Sequence, residues 1–480
     1  MRGDGLFIGG RWVAPSSDAV IEVISPVTEA PVARVAAAGP SDVDAAVEAA
    51  RNAFDDGPWP RLDPSERTAA VRRLAELYGE RRLEMADLIT AEIGAPTSFA
   101  QRAQVGLPWM MMTAFADLAA DFAWQETRRG RYGADIRIRR EPVGVVAAIV
   151  PWNMPQFLIV TKLMPALLAG CCVVVKPAPE SPLDALLLAE LLDELDLPPG
   201  VVNVVPGGAD VGAYLVGHTG VDKVSFTGST AAGRRVAAAC ATGLKRVSLE
   251  LGGKSAAIVL DDADPAAVAV GIRSASLSNS GQICNALTRI LVPAKRSDEF
   301  VDALAAEIKT LVVGDPSDPA TQLGPLVSRR QQQRVLDYIE MGQREGARLV
   351  TGGTGMPDGA ERGWYVRPTL FADADNSMRI AREEIFGPVL TVIGYDDEDE
   401  AVRIANDSDY GLAGSVFSDD TERGVALATR MRTGTFGVNQ GYTMDPYAPF
   451  GGVKSSGYGR ELGREGIEAY LDTKSISVAG

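Results

Sequence analysis

Histidine is nearly missing from this sequence: His218 is the only one in 480 residues. One imidazole cannot build a zinc site with two or three histidine ligands, and any Ser-His or Cys-His pair would have to use this residue. Cysteine is scarce too, at four, with Cys171 and Cys172 adjacent in a strand-like run. That is not a disulfide framework, and it reads as a reduced, cytoplasmic chain. Nor is there a basic excess: 47 Lys plus Arg stand against 63 Asp plus Glu, a net charge of −16. This argues against a nucleic-acid or anionic-membrane surface. The longest apolar stretches, near 143–150 and 165–175, are shorter than the ~18–20 residues of a membrane span. The N-terminus has no apolar run of signal-peptide length. No repeat, low-complexity segment or G-x-G-x-x-G fingerprint occurs. Any proton chemistry must rest on carboxylates, lysines, thiols, water or a cofactor.

What is present is an ordinary globular composition, 46% apolar and 23% charged, long enough for two to four domains. Short β-rich runs alternate with long Ala/Leu/Glu/Arg patterns, which predicts α/β architecture with parallel sheets. Strands are expected near 143–150, 172–175, 201–205, 223–226, 246–249 and 256–260. Helices are expected through 157–169 and 183–195, and a second α/β block from about 265 to 450. The segment 127–140 holds six arginines around an alternating Asp135-Ile136-Arg137-Ile138-Arg139, and the tail ends in Lys474-Ser475-Ile476-Ser477-Val478. These two isolated strands could pair with each other or with a partner subunit; the bland reading of the arginines is a solvated face.

Three local features carry chemistry. Phe226-Thr227-Gly228-Ser229-Thr230 passes from a strand through a glycine turn to a helix start, where free N–H groups can meet a pyrophosphate; a plain helix cap is the alternative. Gly253-Lys254-Ser255 ends like a phosphate-binding loop, but Ser248 stands where that loop needs glycine. Cys284 follows Gly281-Gln282-Ile283 and precedes Asn285, so polar and small residues flank it, with Gln282 and Asn285 as amide donors. It is the best nucleophile candidate, against the default of an inert buried thiol. Glu250 interrupts an apolar stretch, so it is either buried or facing a cleft. Its pKa should rise into the range of a general base, unless backbone amides hold it as a structural group.

Taken in order, Pro151-Trp152-Asn153-Met154-Pro155, Lys176-Pro177-Ala178, the Thr227–Thr230 turn, Leu249-Glu250-Leu251-Gly252-Gly253-Lys254, Gly281-Gln282-Ile283-Cys284, Glu383-Glu384-Ile385-Phe386-Gly387-Pro388 and Pro449-Phe450-Gly451-Gly452-Val453-Lys454 resemble the aldehyde dehydrogenase superfamily over nearly the whole chain. The resemblance is to its NAD(P)-dependent, non-acylating, hydrolytic type. It implies a Rossmann-like cofactor domain (1–126 and 143–252), an α/β catalytic domain (253–455) and a small β bridging or oligomerisation element (127–142 and 456–480). It implies oxidation of an aldehyde to the carboxylic acid, with Cys284 as nucleophile and an oxyanion held by Asn153 and the Cys284 N–H. Glu250 would activate the hydrolytic water, and Lys162 and Glu461 would relay protons. Cofactor contacts would come from Ile149, Pro151, Trp152, Lys176, Ala178, Pro179, Gly207, Phe226, Gly228, Ser229, Leu251, Glu384 and Phe386. The aldehyde would lie among Met154, Phe157, Thr161, Tyr442, Met444 and Phe450, a mostly apolar set without lysine or arginine.

The resemblance has one departure. NAD-preferring members commonly place Glu three residues after the lysine; here Pro179 stands there and Glu180 follows. NAD is still expected, with NADP possible, because no further Arg or Lys than Lys176 appears nearby in sequence. The substrate is expected to be a hydrophobic aliphatic, terpenoid or aromatic aldehyde, the assembly a homodimer or homotetramer, with no metal, nucleic acid or membrane partner. The alternatives are a CoA-acylating relative, which would generally lack Glu250, and a catalytically idle binding protein of the same fold.

Overall fold

Apolar runs with little polar alternation make strands that can be covered on both faces. Val145–Ile149 and Cys172–Lys176 are such strands, buried at every position. The computed structural model describes residues 3–478, and in it these strands lie at the centre of an eight-stranded sheet. The order is Arg11–Val13, Leu6–Ile8, Val202–Val204, Cys172–Lys176, Val145–Ile149, Lys223–Thr227, Arg246–Glu250 and Gly457–Tyr458. The five strands from Val202–Val204 to Arg246–Glu250 are parallel. Taken in chain order they run third, second, first, fourth, fifth. The chain therefore reverses direction across the sheet between Val145–Ile149 and Lys223–Thr227, and a crevice opens at the carboxyl ends of those two strands.

Helix Pro155–Ala169 starts at this crevice and is buried along its whole length. A helix enclosed on all sides shows no polar stripe, which is how Lys162 comes to lie with 0% exposure. After Glu250 the chain crosses through residues 251–254 into a seven-stranded sheet. Its order is Arg348–Thr351, Thr369–Ala372, Val389–Tyr395, Leu287–Pro293, Ser255–Val259, Gly414–Phe417 and Gly437–Val438, with only the first strand antiparallel.

The two isolated strands pair with each other. Leu471–Val478 runs antiparallel to Asp135–Pro142 over eight registered positions, and Gln125–Arg129 adds to the other edge. The expected bridging boundary at 456 needs correction. Gly457–Tyr458 pairs with Leu249 and Glu250 at the edge of the large sheet, and helix Gly463–Glu468 packs on Pro155–Ala169, so only 471–478 of that segment enters the small sheet. Residues 1–2 and 479–480 of the expected segments lie outside the described residues. Among the described residues no helix is long and apolar enough to cross a membrane, and no group of His, Cys, Asp and Glu could hold a metal ion.

Candidate active site

The thiol reaches its position through a strained turn. Helix Pro265–Ser276 ends before Asn279, Ser280 and Gly281, whose φ angles are +51°, +55° and +73°. Left-handed backbone costs about 1–3 kcal/mol at a non-glycine residue, and side-chain bonds hold this one in place. Asn279 Nδ2 donates to the Asn153 carbonyl at 2.9 Å, and Ser280 Oγ donates to the Gly324 carbonyl at 2.7 Å. Glycine is required at 281, because a Cβ there would stand 2.3 Å from the Gly387 carbonyl oxygen. The turn delivers Cys284, half-buried, into the wall of a cleft of about 1060 Å³ that opens at the switch point. Burial, then the Glu384 and Glu250 carboxylates, push its thiol up to about 12.

Asn153 lies in the turn between strand Val145–Ile149 and helix Pro155–Ala169. Its backbone carbonyl accepts from Gln104 Nε2 at 2.8 Å as well as from Asn279, and its Nδ2 donates to the Gln282 carbonyl at 2.9 Å. One amide hydrogen is thus spent on orientation; the other is left for a group in the cleft, which Asn153 lines. The Gln282 side chain is not a donor to the cleft: its Nε2 bonds to the Asn279 carbonyl and its Oε1 accepts from Val327 N–H.

Glu250 ends strand Arg246–Glu250, is 4% exposed, and has no hydrogen-bond partner on either carboxyl oxygen among the described residues. Burial raises its pKa well above the usual range, and Glu461 raises it further. Lys162 Nζ bonds to Glu461 Oε1 and donates to Thr227 Oγ1 at 2.7 Å, so the expected relay residues lie behind Glu250. Thr161 is a correction: it does not line the cleft. It is 1% exposed and its Oγ1 donates to Glu461 Oε2 at 3.0 Å, because on a fully buried helix it faces the neighbouring carboxylate.

The other arm of the cleft is polar. Glu384 Oε1 accepts from Gly253 N–H at 3.0 Å. Trp152 and Phe386 meet edge-to-face at 5.5 Å. Gly228 and Ser229 line the cleft where Ser229 caps helix Thr230–Thr242, and Pro151 and Leu251 complete this wall. Ile149, Lys176, Ala178, Pro179, Gly207 and Phe226 lie outside the cleft walls. Ile149 is registered against Lys176 and Phe226 at the strand ends, and Lys176 Nζ donates to the Pro177 and Gly207 carbonyls at 2.6 and 2.7 Å. Burial lowers its ammonium to about 8. A cation the sequence did not suggest here is Arg330, brought to 3.7 Å from Glu180 by helix Arg329–Arg344.

Met154, Phe157, Tyr442, Met444 and Phe450 line the apolar arm. Phe99, Ala103 and Leu107 join them from the π-helical turn Ala100–Gly106 and its flanks. Sequence reading missed this wall and Gln104. Nothing in the local sequence marks either, since a π turn is defined by hydrogen bonding rather than by residue type.

A thiol, a primary amide and an unbonded carboxylate beside a switch-point crevice are the equipment of an enzyme that forms covalent adducts with carbonyl compounds. Comparison with known proteins agrees. Residues 12–476 match the aldehyde dehydrogenase family. A geranial dehydrogenase of Castellaniella defragrans is 49% identical over 475 residues, covering 99% of this chain and 98% of that one. A 3-succinoylsemialdehyde-pyridine dehydrogenase of a Pseudomonas species is 45% identical, with 98% and 97% covered. Among solved structures, an aldehyde dehydrogenase of Mycobacterium tuberculosis complexed with NAD+ superposes with a TM-score of 0.97 at 50% identity, covering 99% and 98%. A mutant of aldehyde dehydrogenase C from Pseudomonas syringae, complexed with NAD+ and octanal, gives 0.95 at 46%, covering 99% and 96%. The chain belongs to the aldehyde dehydrogenase family, enzymes that oxidise an aldehyde to the carboxylic acid with NAD(P)+.

Proposed function

We propose that this protein oxidises a hydrophobic aldehyde, aliphatic, terpenoid or aromatic, by way of a thioester on Cys284 that water then hydrolyses. The observation that carries the reading is that Cys284 and Asn153, from separate segments, line one cleft with an apolar arm, while Glu250 is buried beside it with its carboxylate close enough to push the Cys284 thiol up. In it, Cys284 gives its thiol proton to Glu250 or to water as the sulfur bonds to the aldehyde carbon, and the Asn153 amide and the Cys284 N–H receive the oxyanion. Losing one such donor costs ~100–1000-fold in rate. Two-electron oxidation is the chemistry that NAD(P)+ supplies when bound. Glu250 then takes a proton from the water that attacks the thioester carbon, and the C–S bond breaks with its pair returning to sulfur. The relatives' geranial and octanal fit the aromatic and aliphatic lining of this arm.

The polar arm suits the cofactor. Helix Thr230–Thr242 starts next to Gly228 and Ser229, which line the cleft, and a helix start beside side-chain-free Gly228 is a fit for a pyrophosphate. Glu384 would hold the ribose of the nicotinamide half, with Trp152 and Phe386 beside it. Lys176 would meet the adenosine ribose. NAD is favoured over NADP, because Arg330, the cation brought beside Glu180, is already paired with it. A tenfold preference for NADP in kcat/KM would defeat this part. The exposed strands of the small sheet support a homodimer or homotetramer, which sedimentation would show, and the reduced thiols support a cytoplasmic location. The deciding experiment is an aldehyde panel read by NADH absorbance, with Cys284→Ala as control and acid or thioester product identified with and without CoA. No oxidation across aliphatic and aromatic aldehydes by unmodified protein would overturn the reading.

A further inference from the structure

Central parallel strands are expected to be apolar on both faces, and two neighbours in the large sheet are not. Lys223, Ser225 and Thr227 alternate along one strand, and Arg246, Ser248 and Glu250 along the next. Alternation puts each trio on one face, and register sets them side by side: Lys223 against Arg246, Ser225 against Ser248, Thr227 against Glu250. All but Arg246 are buried; Arg246 is half exposed, where the row reaches the surface and pairs with Asp472.

The row is connected at both ends. Thr227 Oγ1 accepts from Lys162, which holds Glu461. Lys223 Nζ donates to Ser248 Oγ at 2.7 Å and lies 5.0 Å from the centre of the Tyr470 ring; at the middle of the row Ser225 Oγ is buried with no hydrogen-bond partner among the described residues. The titratable and charged groups that face Lys223 are Cys171, Arg246, Glu461, Lys162 and Tyr470. Burying a polar row in a sheet is costly unless it is bonded or used, and Lys223, Ser225, Ser248 and Arg246 lie outside the cleft lining.

We propose that this row carries the proton collected by Glu250 out to solvent, with Lys223 as the relay behind the catalytic carboxylate. The proposal rests on the hydrolytic role of Glu250. In each turnover the attacking water loses one proton to Glu250, which must shed it before acting again. The proton moves to the Glu461–Lys162 pair; Lys223 gives a proton through Ser248 to water at the Arg246 edge and takes its replacement from the Glu461 side. No electrons move and no further reactant is needed. Burial brings the Lys223 ammonium down to about 8, so it can both give and take a proton near neutrality.

The test compares Lys223→Met, Ser248→Ala and Glu250→Gln in the full chain with NAD and octanal. Thioester on Cys284 is counted by acid quench and intact-protein mass spectrometry, beside first-turnover NADH and the pH profile of kcat. Lys223→Met should keep a first turnover close to the parent's while thioester accumulates and kcat falls about tenfold, with partial rescue by methylamine; a relay contributes less than the ~100–10,000-fold of a direct general base. Ser248→Ala should shift the same readouts less, and it carries the test alone should Lys223→Met not fold. If these variants match the parent in thioester, kcat and pH profile while Glu250→Gln still accumulates thioester, the route is overturned and hydrolysis by Glu250 stands. If Glu250→Gln accumulates none, the hydrolytic reading falls, and the route with it.

Discussion

Two carboxylates stand near Cys284, Glu250 buried and Glu384 half-buried, and they are held in opposite ways. Glu384 is tied to the Gly253 N–H, and Gly252 packs so close that an added Cβ would come within 2.4 Å of its Oε2. Glu250 has no hydrogen-bond partner among the described residues, and a Cβ added at Gly451 would meet its Oε1 at 2.7 Å. An unsatisfied buried acceptor costs about 1–3 kcal/mol, so a carboxylate left loose in a packed interior marks a place where a proton changes hands. A carboxylate that is fastened is a fixture for binding. After burial, both carboxylates push the thiol toward its neutral form.

The largest expected effect follows from exchanging the acids for amides. Glu250→Gln should lower turnover ~100-fold or more with thioester retained on Cys284. Glu384→Gln should chiefly raise the KM for NAD, about tenfold, as loss of a charged hydrogen-bonding group would. Steady-state kinetics on the pair decide it; equal effects on KM and kcat in both would erase the distinction drawn here. The pH dependence follows from the same surroundings. Glu250 with a raised pKa is neutral below that pKa and a base only above it, so hydrolysis of the thioester should speed up as pH rises. Alkylation of Cys284 by iodoacetamide in the cofactor-free protein should climb about tenfold per pH unit, since the thiolate fraction does so below a pKa of about 12. A rate flat between pH 7 and 9 would contradict this.

Gly252→Ala should reproduce Glu384→Gln by displacing the carboxylate, with KM for NAD up about tenfold and no thioester build-up. Smallest is Thr161→Val, which removes a bond to Glu461 worth about 1.5–3 kcal/mol at most and screened by Lys162. It should slow short and bulky aldehydes equally, by about threefold. A loss confined to bulky aldehydes would return Thr161 to the substrate arm.

Much of this site could be read before the fold was known. Glu250 interrupting an apolar run, Cys284 among glycine and amides, and the Gly228–Ser229 turn are local contrasts, visible wherever chemistry forces a residue against its surroundings. Thr161 was misread because a fully buried helix carries no polar stripe from which a facing direction could be taken. Arg330 beside Glu180, Gln104 on the Asn153 carbonyl and the Phe99–Leu107 wall were hidden for another reason. Each is an unremarked residue far along the chain, and only packing makes it a neighbour.

The scarcity of histidine, the order of the motifs and the alternation of strands and helices were determined by the residues alone, since composition and periodicity are properties of the chain. The lone His218 sits at the end of helix Ala209–Gly217, beside Asp44 and distant in role from the thiol, the amide and the carboxylates. What only the tertiary structure decided was which carboxylate is bound and which is free, and that the polar positions of two strands line up into one row. Those depend on strand register and side-chain partners, which are set by contacts between segments far apart in sequence.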